Sequence, residues 1–412
     1  MASKVLNQRG SSICRGCQST NLIDVLDLGS HPLPAEYGLK PEDVLETFPL
    51  QLKLCRDCGL GQIGEYVFPE RIFHETYPYL SSASSTWVQH AANYASEMVR
   101  KLSLNKDSLV IELASNDGYL LQQFAEKGIP VLGIEPTANT AKIAEAKGIP
   151  TIVDFFGTSL AEELIHKHGK PDLIVANNVY AHVPDLDDFT EGLSKLCGEN
   201  TVITIENPTF LKLLSNNLFD TIYHEHYSYL SAHAVSKLAS RHGMNLFHVD
   251  VLETHGGSNR YWLGKSQDIH QSVSHKLQEE LEIGLFAPEF LQSFATRARQ
   301  SITDFSDWIE VRKASQDVVV AYGAAHKGNT FLNSVGPASK YIQYIVDASF
   351  EKQGKYLPGS QIPVLSPSEL GSANPTDVVI LPWNIADELA SNISNLAPKA
   401  RIWVAQPKLR QL

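Results

Sequence analysis

Five short apolar runs in succession, each ending in polar residues, constrain this chain more than any other feature. They are Ser108–Ala114 closing on Ser115-Asn116-Asp117-Gly118, Val131–Ile134 closing on Glu135, and Thr151–Val153 closing on Asp154-Phe155-Phe156. Leu173–Ala176 closing on Asn177-Asn178 and Val202–Ile205 closing on Glu206-Asn207-Pro208 complete the series. Short apolar runs without polar alternation fit strands buried on both faces, as in a mostly parallel sheet covered by helices. The fold class is therefore α/β, with ligands held beyond the carboxyl ends of the strands. An amphipathic helix is expected around Thr86–Leu102, before the first strand. After the fifth strand, Ala232–Arg241 reads as a helix capped by Ser231 and ended by Gly243. Leu246–Val251 and Arg260–Leu263 then read as an antiparallel edge hairpin.

A smaller version of the pattern follows. Asp317–Tyr322 runs into Gly323-Ala-Ala-His-Lys327-Gly328-Asn329, and Tyr344–Val346 ends on Asp347 before Val378–Leu381 and Ile402–Val404. This is a second, Rossmann-like sheet. The helical, charged stretch Gln267–Arg312 between the two serves packing or a dimer face. A chain of 412 residues is long for one core, and the boundaries fall near 1–80, 81–265 and 266–412.

Turn spacing narrows the cofactor. A dinucleotide fold carries Gly-x-Gly-x-x-Gly in its first turn so that a pyrophosphate can approach, and here the turn is Ala-Ser-Asn-Asp-Gly. Glu135, ending the second strand, suits two ribose hydroxyls, and Asp154 with Phe155 suits the amino group and ring face of an adenine. A nucleoside without phosphates fits these groups, which points to S-adenosylmethionine. The second sheet lacks the dinucleotide fingerprint too. Lys327, at a helix start among the amides near Gly323 and Gly328, suits the diphosphate of a sugar nucleotide, with nicotinamide binding as the weaker alternative.

Cys14-Arg-Gly-Cys17 and Cys55-Arg-Asp-Cys58-Gly59 supply four thiolates from two tight turns, the ligand set of structural zinc. All four positions are cysteine, which leaves no coordination site for substrate. The short β segments between the knuckles are too small to hold together alone, and the metal supplies what they lack. Cysteine pairs of this kind fit a reducing compartment. No signal-peptide run or membrane span appears, so the cytoplasm is the default. A net charge of −12 argues against nucleic-acid or anionic-membrane partners.

Phe219–Ser231 gathers two histidines, two carboxylates and three tyrosines within thirteen positions. Three readings are open from the residues alone: acid/base chemistry, a polar loop, and a metal site on His224-x-His226. Its position after the fifth strand makes it an insertion expected over the carboxyl ends of the strands. His224 is expected to face water. The run Phe73–Ser82, with Tyr77 and Tyr79, is either a packed linker or one wall of the site.

The chain resembles the S-adenosylmethionine-dependent C-methyltransferases that act on nucleotide-linked 4-keto-deoxyhexoses. The resemblance runs nearly end to end. It rests on the zinc knuckles, Tyr77-Pro78-Tyr79-x-Ser-Ser, Glu112-x-x-Ser-Asn116-Asp117-Gly118, Gly133-x-Glu135-Pro136 and Asp154-Phe155-Phe156. It continues through Ala176-Asn177-Asn178 with His182-x-Pro184, Tyr223-x-Glu225-His226, His255-Gly256-Gly257-Ser258 with Arg260, and Tyr322-Gly323-Ala324 through Lys327. Ala114 stands where methyltransferases of this fold usually have glycine.

The resemblance implies His226 as the base that takes a proton beside the 4-keto group, Glu225 as its orienting partner and Tyr223 as donor to the enolate oxygen. A carbon acceptor has no lone pair until such a proton is removed. Tyr77 and Tyr79 are secondary catalytic candidates. Glu112, Asn116, Asp117, Gly118, Glu135, Pro136, Asp154, Phe155, Phe156, Asn177, Asn178 and His182 are implied for the cofactor. His255, Gly256, Arg260 and Lys327 are implied for the substrate, a thymidine-linked sugar. The protein is then a monomer or homodimer. Two other readings stay open: a non-sugar keto or phenolic acceptor (or non-methylating use of the same cofactor), and a zinc-ribbon binding protein without turnover.

Overall fold

The computed structural model describes residues 11–73 and 80–412. They form two compact units. The first comprises residues up to Leu22, Leu54–Thr209 and Tyr227–Gly284; the second comprises Ile23–Lys53, Phe210–His226 and Leu285–Leu412. The chain changes unit inside β1 (Leu22–Pro32) and again near the end of β2 (Thr47–Cys55).

The first unit begins with the cysteine knuckles and β3 (Gly61–Gln62). Its main sheet is built from β4 (Val110–Leu113), β5 (Val131–Ile134), β6 (Thr151–Ile152), β7 (Leu173–Asn177) and β8 (Val202–Pro208). A short β9 (Ser228–Tyr229) pairs with β3, and the hairpin of β10 (Asn245–Leu252) and β11 (Ser258–Gly264) completes the large sheet. Its order is β10-β11-β8-β7-β4-β5-β6. The five expected strands are parallel, and only β11 runs against them, since β10 is antiparallel to β11.

Alternate residues of these strands feed two apolar layers. Ile111, Leu113, Ile174, Ala176, Ile203 and Ile205 face one, with Leu164, Leu193 and Leu238 from the covering helices. Val110, Leu173, Val175 and Val202 face the other, with Tyr94, Met98 and Phe124. Burial on both faces is why these strands read as continuous apolar runs. The helix before the sheet spans Ser85–Leu102, and Ser84 caps it by accepting from the Trp87 amide. Ser231 caps Ala232–Arg241 in the same way, through the Ala234 amide.

In the second unit β1 lies beside β2. The unit also holds β12 (Val319–Tyr322), β13 (Ile345–Val346), β14 (Val364–Leu365), β15 (Asp377–Ile380), β16 (Arg401–Val404) and β17 (Arg410–Gln411), in the order β14-β13-β12-β15-β16-β17. β14 and β17 have two residues each, too few to show a period in sequence. The expected helical stretch is two helices, Gln271–Glu282 and Pro288–Ala314, the second started by its proline. Among the described residues no helix is long and apolar enough to cross a membrane.

Candidate active site

In the first unit the sheet order reverses between β4 and β7, which opens a crevice at the carboxyl ends of the strands. The turn after β4 forms its floor. Glu135 accepts the Asn116 amide at 2.8 Å through Oε2 and the Thr137 amide at 2.9 Å through Oε1, so a single carboxylate pins the first turn and the start of the next helix. Asn116 in turn accepts the Ser81 amide at 2.8 Å, and Asp117 takes the Ser82 hydroxyl and Lys147 Nζ at 3.1 Å. Gly118 has φ +75°, and a Cβ there would stand 3.1 Å from Ala144 Cβ.

Glu112 meets the Leu121 amide, at the start of the following helix. Burial, with Glu135 and Asp117 close by, pushes its carboxyl well above the ordinary range. Three acidic groups thus share one small volume. Glu112 Oε2, Asp117 Oδ1 and Asn177 Oδ1 are buried acceptors without a partner among the described residues. Such atoms ask for donors.

At the edge of the crevice Phe155 is 41% exposed, and the exposed Asp154 accepts its amide. Phe156 instead turns inward and meets Phe189 edge-on at 5.1 Å. Asn178 has φ +54° and donates its amide to the Glu206 carbonyl, while Pro136 is half-buried beside Glu135. His182 ends a short 3-10 turn and meets the Phe73 ring edge-on at 5.6 Å. Tyr77 and Tyr79 lie outside the described residues. The backbone of His255-Gly256 forms a turn between β10 and β11, with φ +87° at Gly256. Arg260 is 3% exposed, bonds Glu206 at 2.9 Å and lies 4.5 Å over the Tyr94 ring, a set of contacts that ties it to the scaffold.

The four cysteines form one cluster in this unit, with all Sγ atoms within 4.8 Å of one another. Cys14–Cys58 and Cys17–Cys55 are 3.6 and 3.5 Å apart. A tetrahedral zinc with Zn–S of about 2.3 Å sets sulfurs about 3.8 Å apart, so the set fits the ion. Cys14, Cys55 and Cys58 belong to the same apolar layer as Leu60, Val235 and Leu238. The knuckle is therefore rooted in the core of the unit.

The second unit carries Tyr223, Glu225 and His226. The His226 Nδ1 is 3.1 Å from the Thr221 carbonyl, which only accepts, so Nδ1 carries the hydrogen. Nε2 then keeps its lone pair and meets the Tyr223 hydroxyl at 3.0 Å, with the two rings 4.1 Å apart. Glu225, 2% exposed, has His326 Nδ1 at 3.5 Å, and His326 is edge-on to Tyr223 at 5.8 Å. His224 corrects the expectation of a water-facing ring. It is 3% exposed, with Nε2 near the Phe48 and Pro49 carbonyls, and burial lowers its pKa. Its neighbours on the extended segment alternate sides, and the apolar surroundings of Phe48 took this one.

Lys327 donates to Asn384 at 2.7 Å and lies 4.5 Å over Trp383. Burial lowers its pKa, against the pull of Asp220. Asp220 accepts from Trp383 Nε1 at 2.8 Å, and burial pushes its carboxyl up to about 6.

Sequence reasoning missed Arg15. It is 1% exposed within the first knuckle and donates to the Ile63 and Pro184 carbonyls at 2.6 and 2.8 Å. Nothing in the sequence separates it from Arg56, which holds the same place in the second knuckle and is exposed. Thr221 and His90 were also missed, because their roles lie in a carbonyl direction and a long-range contact.

The strand order, the acid ending β5 and the buried acceptors of the turn define an S-adenosylmethionine-dependent methyltransferase with a class I Rossmann-like fold. When bound, that cofactor supplies an electrophilic methyl group. Its ammonium and hydroxyl donors suit the acceptors of Glu135, Asp117 and Asn177.

Three family descriptions match in order: a zinc binding domain over residues 14–73, a methyltransferase domain over 87–249 and a C-methyltransferase C-terminal domain over 253–406. The C-methyltransferase NovU of Streptomyces niveus is 32% identical over 384 residues, 92% of this chain and 91% of that protein. The chain belongs to this C-methyltransferase family. Among solved structures, magnesium protoporphyrin IX methyltransferase (ChlM) from Synechocystis PCC 6803 with bound SAH is 16% identical. It covers 43% of this chain and 83% of its own, with a TM-score of 0.36, too slight a likeness to argue from.

Proposed function

We propose that this C-methyltransferase acts on a nucleotide-linked 4-keto-deoxyhexose, of dTDP type, at the carbon beside the ketone. The observation that carries the reading is the tautomer of His226. With Nδ1–H directed to Thr221, the acceptor nitrogen is Nε2, which meets the Tyr223 hydroxyl, and a ring so fixed is suited to take a proton once that hydroxyl turns away. Tyr223, already donating to that nitrogen, would turn its hydroxyl to the enolate oxygen as the proton leaves carbon. Glu225 and His326 would hold the wall behind Tyr223. Tyr77 and Tyr79 remain candidates for the same chamber.

The proposal divides the chain into a zinc module over 1–80, a cofactor domain over 81–265 and a nucleotide-sugar domain over 266–412. Lys327 would meet the diphosphate, while His255 and Gly256 would meet the sugar. Arg260 would serve that loop from below, through Glu206. The protein would work in the cytoplasm as a monomer or homodimer.

The test is incubation with methyl-labelled S-adenosylmethionine and dTDP-4-keto-6-deoxyglucose. Label should appear on a sugar carbon. His226→Asn should abolish turnover, and calorimetry should show S-adenosylhomocysteine binding unchanged. Full activity in that variant removes His226 as the base, and absence of carbon labelling with the native protein removes the sugar.

A further inference from the structure

Beside the cofactor crevice of the first unit, a second imidazole is held by a carboxylate. Glu206, 1% exposed, stands on β8, the strand next to β7 on the far side of the switch point from β5. One oxygen takes Arg260 at 2.9 Å and the other has His90 Nε2 at 2.8 Å. Burial opposes ionisation here, but the His90 hydrogen bond and the Arg260 charge outweigh it and hold the carboxyl below its ordinary range. An ionised carboxylate only accepts, so Nε2 carries the hydrogen.

Arg260 meets Glu206, Glu97 at 3.3 Å and Asp250 at 3.9 Å, and Lys101 meets Glu97 at 2.7 Å, so two cations face three carboxylates around the ring. With Nε2 given to Glu206, Nδ1 is the ring's remaining polar atom, and no hydrogen-bond partner for it stands among the described residues.

The ring is also held in place. It stacks on Trp87 at 4.8 Å, and Trp87 stacks on Tyr119, the residue after Gly118 of the cofactor turn, at 6.4 Å. Thr254, from the turn that carries His255 and Gly256, has its hydroxyl 3.5 Å from the same Glu206 oxygen. Glu206 is sealed, yet 21% of the His90 side chain stays exposed. A histidine serving only to pack its helix would have no need of a buried carboxylate to choose its tautomer.

We propose that His90 positions the methyl acceptor through a hydrogen bond between Nδ1 and one of the acceptor's hydroxyl groups. The inference rests on the keto-sugar reading above and adds to it a specificity contact on the cofactor unit, separate from the base.

The test uses the full chain loaded with zinc and S-adenosylhomocysteine. His90→Gln keeps a donor for Glu206 and removes the ring's second nitrogen. Calorimetric titration with dTDP-4-keto-6-deoxyglucose should show about tenfold weaker binding than native, the loss of one neutral hydrogen bond. S-adenosylhomocysteine affinity should stay within about twofold. In the native protein, the His90 Nδ1 signal in nitrogen-15 NMR should shift when the sugar nucleotide is added, a readout independent of any variant. Equal sugar-nucleotide affinity in native and His90→Gln protein, or an unmoved Nδ1 signal, overturns this inference alone. Parallel loss of S-adenosylhomocysteine affinity also overturns it, by assigning the ring to the cofactor pocket. A native protein that fails to bind the sugar nucleotide overturns the acceptor reading, and this contact with it.

Discussion

The two Rossmann-like sheets share a device and differ in what surrounds it. In the first, Glu135 at the end of β5 accepts the Asn116 amide from the turn after the neighbouring β4 and the Thr137 amide two residues on. In the second, Asp347 after β13 accepts the Ala324 amide at 2.7 Å and the Ser349 amide at 2.8 Å, in the same pattern. Beyond that the sites part. The first turn keeps buried acceptors in need of donors. The second supplies its own: Tyr37 and Lys352 both donate to the Ala324 carbonyl, and Lys352 Nζ lies 3.3 Å from Asp347. One topology therefore serves either a ligand or the chain's own side chains, and the side chains decide which.

The largest expected effect is metal removal, which contrasts a unit rooted on zinc with one that is not. Structural zinc contributes on the order of 10 kcal/mol to a folded site. Chelation should strip hydrogen-exchange protection from β4, β7 and β8 while β12 and β15 keep theirs; loss of protection in both units would erase the contrast.

The shared acid comes next. Glu135→Ala should weaken S-adenosylhomocysteine binding about a hundredfold or more, through lost charged hydrogen bonds and a loosened turn. Asp347→Ala should leave that affinity within about twofold. Comparable losses in the two variants, read by calorimetry, would mean that the two sites do not differ as described.

Acid should separate the units as well. Burial, and then the nearby His224, lower the pKa of His31 to about 4, so the folded protein keeps this ring neutral where the unfolded chain protonates it. Between pH 6.5 and about 4 the unfolded state binds more protons, so stability falls as pH falls, by up to about 3 kcal/mol from this group. His31→Gln keeps a donor for the Leu28 carbonyl at 3.0 Å and should flatten the decline in melting temperature of the second unit. An unchanged slope would acquit His31.

The smallest effect lies at the first residue after each leading strand. Gly323 has φ +90° and a Cβ there would stand 2.4 Å from Pro382 Cγ, so Gly323→Ala should destabilise by roughly 2 kcal/mol. Ala114, at the equivalent place, already bears φ +54°. Ala114→Gly relieves left-handed strain but adds freedom to the unfolded chain, for a net gain below about 1 kcal/mol. Differential scanning calorimetry on both variants checks the sign of each change.

Much of the fold was legible because both faces of the parallel strands are buried. The runs 108–114, 131–134, 173–176 and 202–205 carry no polar interruption apart from Glu112 and Thr204, and each holds an observed strand. The caps at Ser84 and Ser231 follow from local hydrogen bonding that a short polar side chain dictates. The four cysteines converge as their paired spacing requires.

The site was legible in part. Glu135 stands where an acid ending the second strand must stand, while the inward contact of Phe156 with Phe189 had no signal in sequence. Arg15 and Arg56 occupy matching knuckle positions, yet only the first is buried. His224 and His226 are two residues apart, and one lies against Phe48 while the other is fixed by Thr221 and Tyr223.

The sequence by itself determined the strands, their order of polar endings and the zinc ligands, since apolar periodicity and ligand spacing act over a few residues. Only the tertiary structure decided which arginine is sealed and which acid meets which histidine. Those outcomes depend on atoms more than a hundred residues apart, as with His90 and Glu206, and on a desolvation that exists only once the layers have closed.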